Sequence, residues 1–223
     1  MASDSQHVKH FWVASGSFIE SYLLWLPWSK DAGASTALLS FYDADGSLVN
    51  EAELTSKAGN PTALEVGQFL GSCKLESGIR HAHLMVRYTK PCWWGCRLIS
   101  GASASMLGEP EIISGERTGF MPVVFSSSRH PLLCVVNHSQ EEARLRCQLF
   151  FGARIPETEL LISPLGVRLL ALDVEFETSL PKDSAKTLRA YLRFGMHGGG
   201  VVGAQVLELY PGSKKEEFLS AVG

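Results

Sequence analysis

Apolar and polar residues alternate in short runs along nearly the whole chain, and Gly, Pro, Asn, Asp and Ser separate one run from the next. Alternation with a period of two marks a half-buried β-strand, and few segments carry the 3.6-residue period of an amphipathic helix. The pattern predicts strands near residues 11–14, 22–28, 36–42, 48–54, 63–70, 79–88 and 96–100. A second series follows at 119–125, 132–137, 144–151, 157–162, 167–176, 187–194 and 201–210. Asp43-Ala44-Asp45-Gly46 has the composition of a hairpin turn. Only residues 213–221 look helical, as a short C-terminal cap.

The second series repeats the first 108 positions further on. Laying residues 24–98 on 132–206 without a gap pairs Glu51 with Glu159, Ala63-Leu64-Glu65-Val66 with Ala171-Leu172-Asp173-Val174, Ala82 and Leu84 with Ala190 and Leu192, and Gly95 with Gly203. One inserted residue would reverse the face of every following side chain in a strand, so a gap-free match keeps the inward set intact. Short strands at regular spacing suit antiparallel sandwiches. The expected fold is all-β: two tandem antiparallel β-sandwich units related by an internal repeat of about 108 residues, over residues 1–103 and 104–223, with 101–115 as connector. Within 79–88 the matched Ala82, Leu84 and Val86 form the inward set, which turns His81, His83, Met85 and Arg87 outward.

A net charge of −3 and a pI near 6.2 supply no global attraction for nucleic acid or an anionic membrane. The first residues carry no charged segment leading into an apolar run, and no stretch reaches the length of a membrane span. A cytoplasmic location without membrane insertion is expected. Five cysteines, an odd number without secretory context, read as reduced thiols, and Cys134 and Cys147 as small buried apolar residues. In that context the glycosylation tripeptide Asn137-His138-Ser139 has no consequence.

Two histidines two residues apart on a strand, His81 and His83, share a face and can ligate one metal ion; Cys92 and Cys96 follow, separated from them by the strand end. Two exposed histidines on a polar face are the simpler reading. Trp93 and Trp94 stand in a turn where the second copy has Val201 and Val202, and a tryptophan pair at a loop tip suits contact with a protein or a sugar ring. Trp25 and Trp28, in a longer apolar run, suggest a strand buried on both faces between the units. Ser126-Ser127-Ser128-Arg129-His130 sets a serine near a histidine but lacks a nucleophile elbow, and Asp43-Ala44-Asp45-Gly46 lacks the later ligands of a calcium loop. Gly198-Gly199-Gly200 lacks the lysine of a phosphate loop.

The stretch Leu133-Cys134-Val135-Val136-Asn137-His138-Ser139-Gln140-Glu141-Glu142-Ala143, leading into an alternating strand, resembles the opening hairpin of the sensory rhodopsin transducer family. The resemblance covers about 45 residues of the second unit and implies a small soluble β-sandwich that oligomerises and acts by protein contact, without a catalytic site. The duplication departs from that family's single-unit pattern, so no partner and no functional residue is carried over. The expectation is a non-catalytic adaptor or signalling accessory, with no cofactor, that binds a protein partner or itself as a homo-oligomer. The alternative is a module binding a sugar or metal ion through Trp93 and Trp94 or through His81 and His83.

Overall fold

A computed structural model of the chain describes residues 6–27, 35–56, 60–76, 78–100, 103–107, 110–153, 155–181, 187–211 and 216–220. The first half supplies β1 (His7–Gly16), β2 (Glu20–Pro27), β3 (Ser35–Tyr42), β4 (Leu48–Ser56), β5 (Thr62–Glu65), β6 (Leu75–Glu76), β7 (Ile79–Tyr88), β8 (Cys92–Ser100) and β9 (Ser103–Leu107). The second supplies β10 (Glu111–Ser114), β11 (Thr118–Phe125), β12 (His130–Asn137), β13 (Ala143–Phe150), β14 (Glu157–Ile162), β15 (Val167–Ala171), β16 (Leu188–Met196), β17 (Val201–Pro211) and β18 (Glu216–Ser220). All pairings are antiparallel, and the fold is all-β.

One sheet runs β4-β3-β7-β1-β2-β8-β9, with β5 on β2 and β6 on β7. β1 meets β2 at the Ser15–Glu20 pair, where the sheet turns a corner. Its two ends face each other, because Phe11, Leu39, Phe41 and Leu84 from one end share a buried cluster with Leu23, Trp25, Trp94 and Leu98 from the other. The remaining strands form the sheets β10-β17-β12-β15, with β18 on β17, and β11-β16-β13-β14.

The β12 sheet lies between two cores. Leu132, Cys134, Val136, Val167 and Leu207 pack into the first-half cluster, whereas Leu133, Val135, Val202, Ala204 and Val206 pack with Met121, Leu145, Leu192 and Phe194. Alternate residues of one strand thus enter different cores, and the result is a stack of four β layers.

Pairings in the first half have counterparts in the second. β3 lies between β4 and β7 as β13 lies between β14 and β16, and β2 lies between β5 and β8 as β12 lies between β15 and β17. Ala37 opposes Tyr88, and Leu145 opposes Met196, both 108 positions on. Other registers depart from this offset: Leu24 opposes Gly95, but Leu132 opposes Leu207. This slide is an even number of residues, so every side chain keeps its face.

Five segments differ from the sequence-based expectation, the first being the turn expected at Trp93 and Trp94, which is part of β8 and pairs with β2. The predicted strand at 63–70 ends at Glu65, and a 3-10 turn over Gly67–Phe69 follows, held by the Gly67 N–H donated to Glu20 Oε1 at 3.0 Å. That at 167–176 ends at Ala171 and gives way to α1 (Leu172–Glu175), because one helical turn brings Leu172 and Phe176 into the same core. The connector at 101–115 contains β9 and β10. Within the expected C-terminal helix, Glu216–Ser220 instead forms β18, which extends the sheet along the free end of β17; the rest of 213–221 lies outside the described residues.

Candidate functional site

The polar face assigned to β7 by alternation is not exposed. His81 is 4% exposed and His83 fully buried. The phase is as expected, since Ala82, Leu84 and Val86 point into the first-half core; what differs is that the β12 sheet covers the opposite face. Trp12 and Ala14 on β1 are buried for the same reason.

Beneath that cover the histidines do not form the expected pair. His83 meets His10 of β1 and His138, which follows β12: His10 Nδ1 and His83 Nε2 are 2.8 Å apart, and the His10 and His138 rings stack with centroids at 4.0 Å. His83 Nδ1 lies 2.7 Å from the Leu165 carbonyl oxygen. A carbonyl only accepts, so His83 Nδ1 carries the proton and Nε2 accepts from His10 Nδ1–H. Burial lowers the pKa of His10 to about 4. It also lowers that of His83 to about 3, with His10 adding to the shift, and that of His138 to about 2, with His10 and His83 adding. The cluster is therefore neutral at physiological pH. His81 packs instead on Trp12, with ring centroids 6.1 Å apart. Among the described residues no three His, Cys, Asp or Glu side chains converge as metal ligands.

Asn137 sets the position of Leu165. Its buried side-chain amide donates to the carbonyls of Glu141, Ile162 and Ser163, its Oδ1 accepts from Ser139, and the backbone N–H of Leu165 donates to the Ser139 carbonyl. The Asn-containing turn is thus a structural clamp. The same loop abuts the first half, where the Asp43–Gly46 turn, as expected, links β3 and β4. Gly46 has φ +78°, and a Cβ there would lie 1.9 Å from the Pro164 carbonyl oxygen, so only glycine fits.

The tryptophans divide between the two faces of β8. Trp94, 4% exposed, stacks on Trp25 of β2 with centroids 4.7 Å apart, inside the core. A stacked pair adds about 1 kcal/mol beyond its buried area. Trp93 lies on the outer face, 41% exposed, with its ring over Gly95. A Cβ at Gly95 would stand 2.3 Å from that ring and 3.1 Å from the Met106 methyl, so the glycine makes room for both side chains. Leu26, opposite Trp93, is also exposed, as are Met106 and Ala63. Tyr22 and Leu24 are half-buried beside them. Trp28 lies outside the described residues.

At the end of this surface a cleft of about 330 Å³ is lined by His7, Lys9, Tyr88, Pro91, Cys92, Trp93 and Trp94. Tyr88 stacks on His7 at 5.3 Å and tilts against Trp94 at 5.8 Å. Burial raises the Cys92 thiol pKa, and hydrogen bonds with the Trp25 and Trp94 indoles partly offset the rise, so Cys92 enters the cleft as a neutral thiol. The chain matches no protein-family model and no curated protein sequence.

The other candidates take structural positions. Cys73, Cys96, Cys134 and Cys147 are buried thiols. Ser126 Oγ bonds Ser128, while His130 Nδ1 bonds the Asp173 carboxylate. His10 lies in no short motif, and His138 reads only as the middle of the tripeptide Asn137-His138-Ser139. Their partner His83 comes from a third segment, and only the stacking of the layers joins them.

Proposed function

We propose that this protein is a non-catalytic binding protein that works through protein contacts, with the outer face of β2, β8 and β9 as its contact surface. One observation carries the reading: Leu26, Trp93 and Met106 are each more than two-fifths exposed, side by side, on one sheet face. Clustered exposed apolar side chains mark interaction sites, and an accessible tryptophan is the residue type that most often anchors one. The resemblance to the sensory rhodopsin transducers points the same way. Light scattering on the purified chain is expected to report an oligomer that Trp93→Ala weakens at least about 30-fold, the effect of losing one interface anchor. A strict monomer that retains no partner would remove the reading.

The cleft favours a second reading, a small ligand held between Tyr88, Trp93 and Trp94. Aromatic walls with a few polar groups, here Lys9, His7 and the Cys92 thiol, are the usual make-up of such a site. Tryptophan fluorescence should then change on titration with neutral sugars or small carboxylates; a flat response across the panel counts against it.

A further inference from the structure

The contact face of the first half has the same construction as a face that is already occupied inside the molecule. β2 lies between β5 and β8 as β12 lies between β15 and β17, so Leu24, Leu26 and Ala63 hold the places of Leu132, Cys134 and Ala171. Those three second-half residues pack against the first half. What covers them is the outer face of β1 and β7, including His10, Trp12 and His83. The face equivalent to that cover lies at the far end of the second half, on β11 and β16. There Tyr191 holds the place of His83, and Phe120, opposite Arg193, holds the place of His10, opposite Met85. Both are uncovered, Phe120 at 56% and Tyr191 at 61% exposed. One end of the stack therefore presents the lower half of an interface and the other end presents its upper half.

We infer that these two ends bind each other between copies, so that a second copy seats its β11–β16 face on the β2–β5–β8 face of the first. The chain then continues its own internal stacking from molecule to molecule. The contact is heterologous, since each copy uses a different patch, and it builds rings or open filaments rather than closed two-fold dimers. β2 supports this independently of the counterpart argument. It carries apolar residues on both faces, as a doubly covered strand does, yet on one of those faces Tyr22 and Leu24 are only half-buried and Leu26 is exposed. The inference rests on the protein-contact reading above and specifies its partner.

Two capped variants test it. Met106→Glu, or Trp93→Glu, charges one end; Tyr191→Glu with Phe120→Glu charges the other. All these residues are exposed, and circular dichroism and thermal melts should match the wild type; Met106→Glu leaves the Trp93 ring over Gly95 in place. In sedimentation velocity the wild type should form species larger than a dimer with rising concentration. Each capped variant alone should be monomeric, and their mixture should form 1:1 dimers and stop there. A wild type that stays monomeric overturns the stacking but leaves open a different protein at the Trp93 face. Two capped variants that fail to pair, although each alone breaks up the wild-type oligomer, replace it with a self-complementary contact. Association unaffected by Trp93→Glu and Met106→Glu removes both the stacking and the contact surface itself.

Discussion

At the scale of single residues, the histidines between the halves make the fold sensitive to acid. His10, His83 and His138 are neutral in the folded chain, whereas an unfolded histidine takes up a proton near pH 6.5. Their contribution to stability is therefore full above about pH 6.5. It falls as the pH drops through that value towards the folded pKa values of about 4 for His10 and 3 for His83, because there the unfolded chain binds more protons. His83 alone accounts for a loss of about 3 kcal/mol between pH 7 and pH 4.5. Urea midpoints across that range should fall accordingly, and His83→Asn, which keeps a donor for the Leu165 carbonyl, should flatten the fall; a wild-type midpoint independent of pH would contradict a buried neutral cluster. The alternation of β7 places His81 and His83 on the correct face, but whether that face meets water or another sheet is not written in the strand. It depends on the β12 sheet, some fifty residues further along the chain.

At the scale of elements, strand positions and turn chemistry were legible because alternation and turn residues act locally. Asp43-Ala44-Asp45-Gly46 is such a case, with Asp43 Oδ1 accepting from the Asp45 and Ser47 N–H groups. What the sequence could not supply is the second duty of that turn, its contact with the loop at Pro164. Gly46→Ala should lower stability by about 2 to 4 kcal/mol, from the left-handed φ and the overlap with a backbone oxygen that cannot yield. Gly71→Ala, where nothing lies within 4 Å, should leave the denaturation midpoint within about 0.5 kcal/mol of wild type. The apolar run of 22–28 illustrates the converse. It was expected to be buried on both faces, yet β2 buries Ser21, Leu23 and Trp25 and leaves Leu26 exposed, while β12 is the strand enclosed on both sides. Hydrophobic content tells how much cover a strand can accept, and the packing of layers decides how much it receives.

At the scale of the whole molecule, the halves are bound by more than a linker. Trp12, Ala14, His81 and His83 of the first half are buried, and Leu132, Cys134 and Val136 of the second share the first-half cluster. Separating residues 1–103 from 104–223 would expose both faces. Each fragment expressed alone should bind a hydrophobic dye and aggregate, and co-expression should recover a soluble 1:1 complex; two fragments that each melt cooperatively as monomers would show that the interface is dispensable. The all-β class was legible from the period of the pattern, whereas the four-layer stacking was not, because it depends on which faces meet. The enclosure of β12 has a further consequence. A strand with Cys134 turned to one core and Val135 to the other has no solvent side on which a substitution can be accommodated. Any change of volume there is transmitted in both directions, so the stretch from Pro131 to Val136 has little freedom to vary, and a defect in it would loosen both halves together.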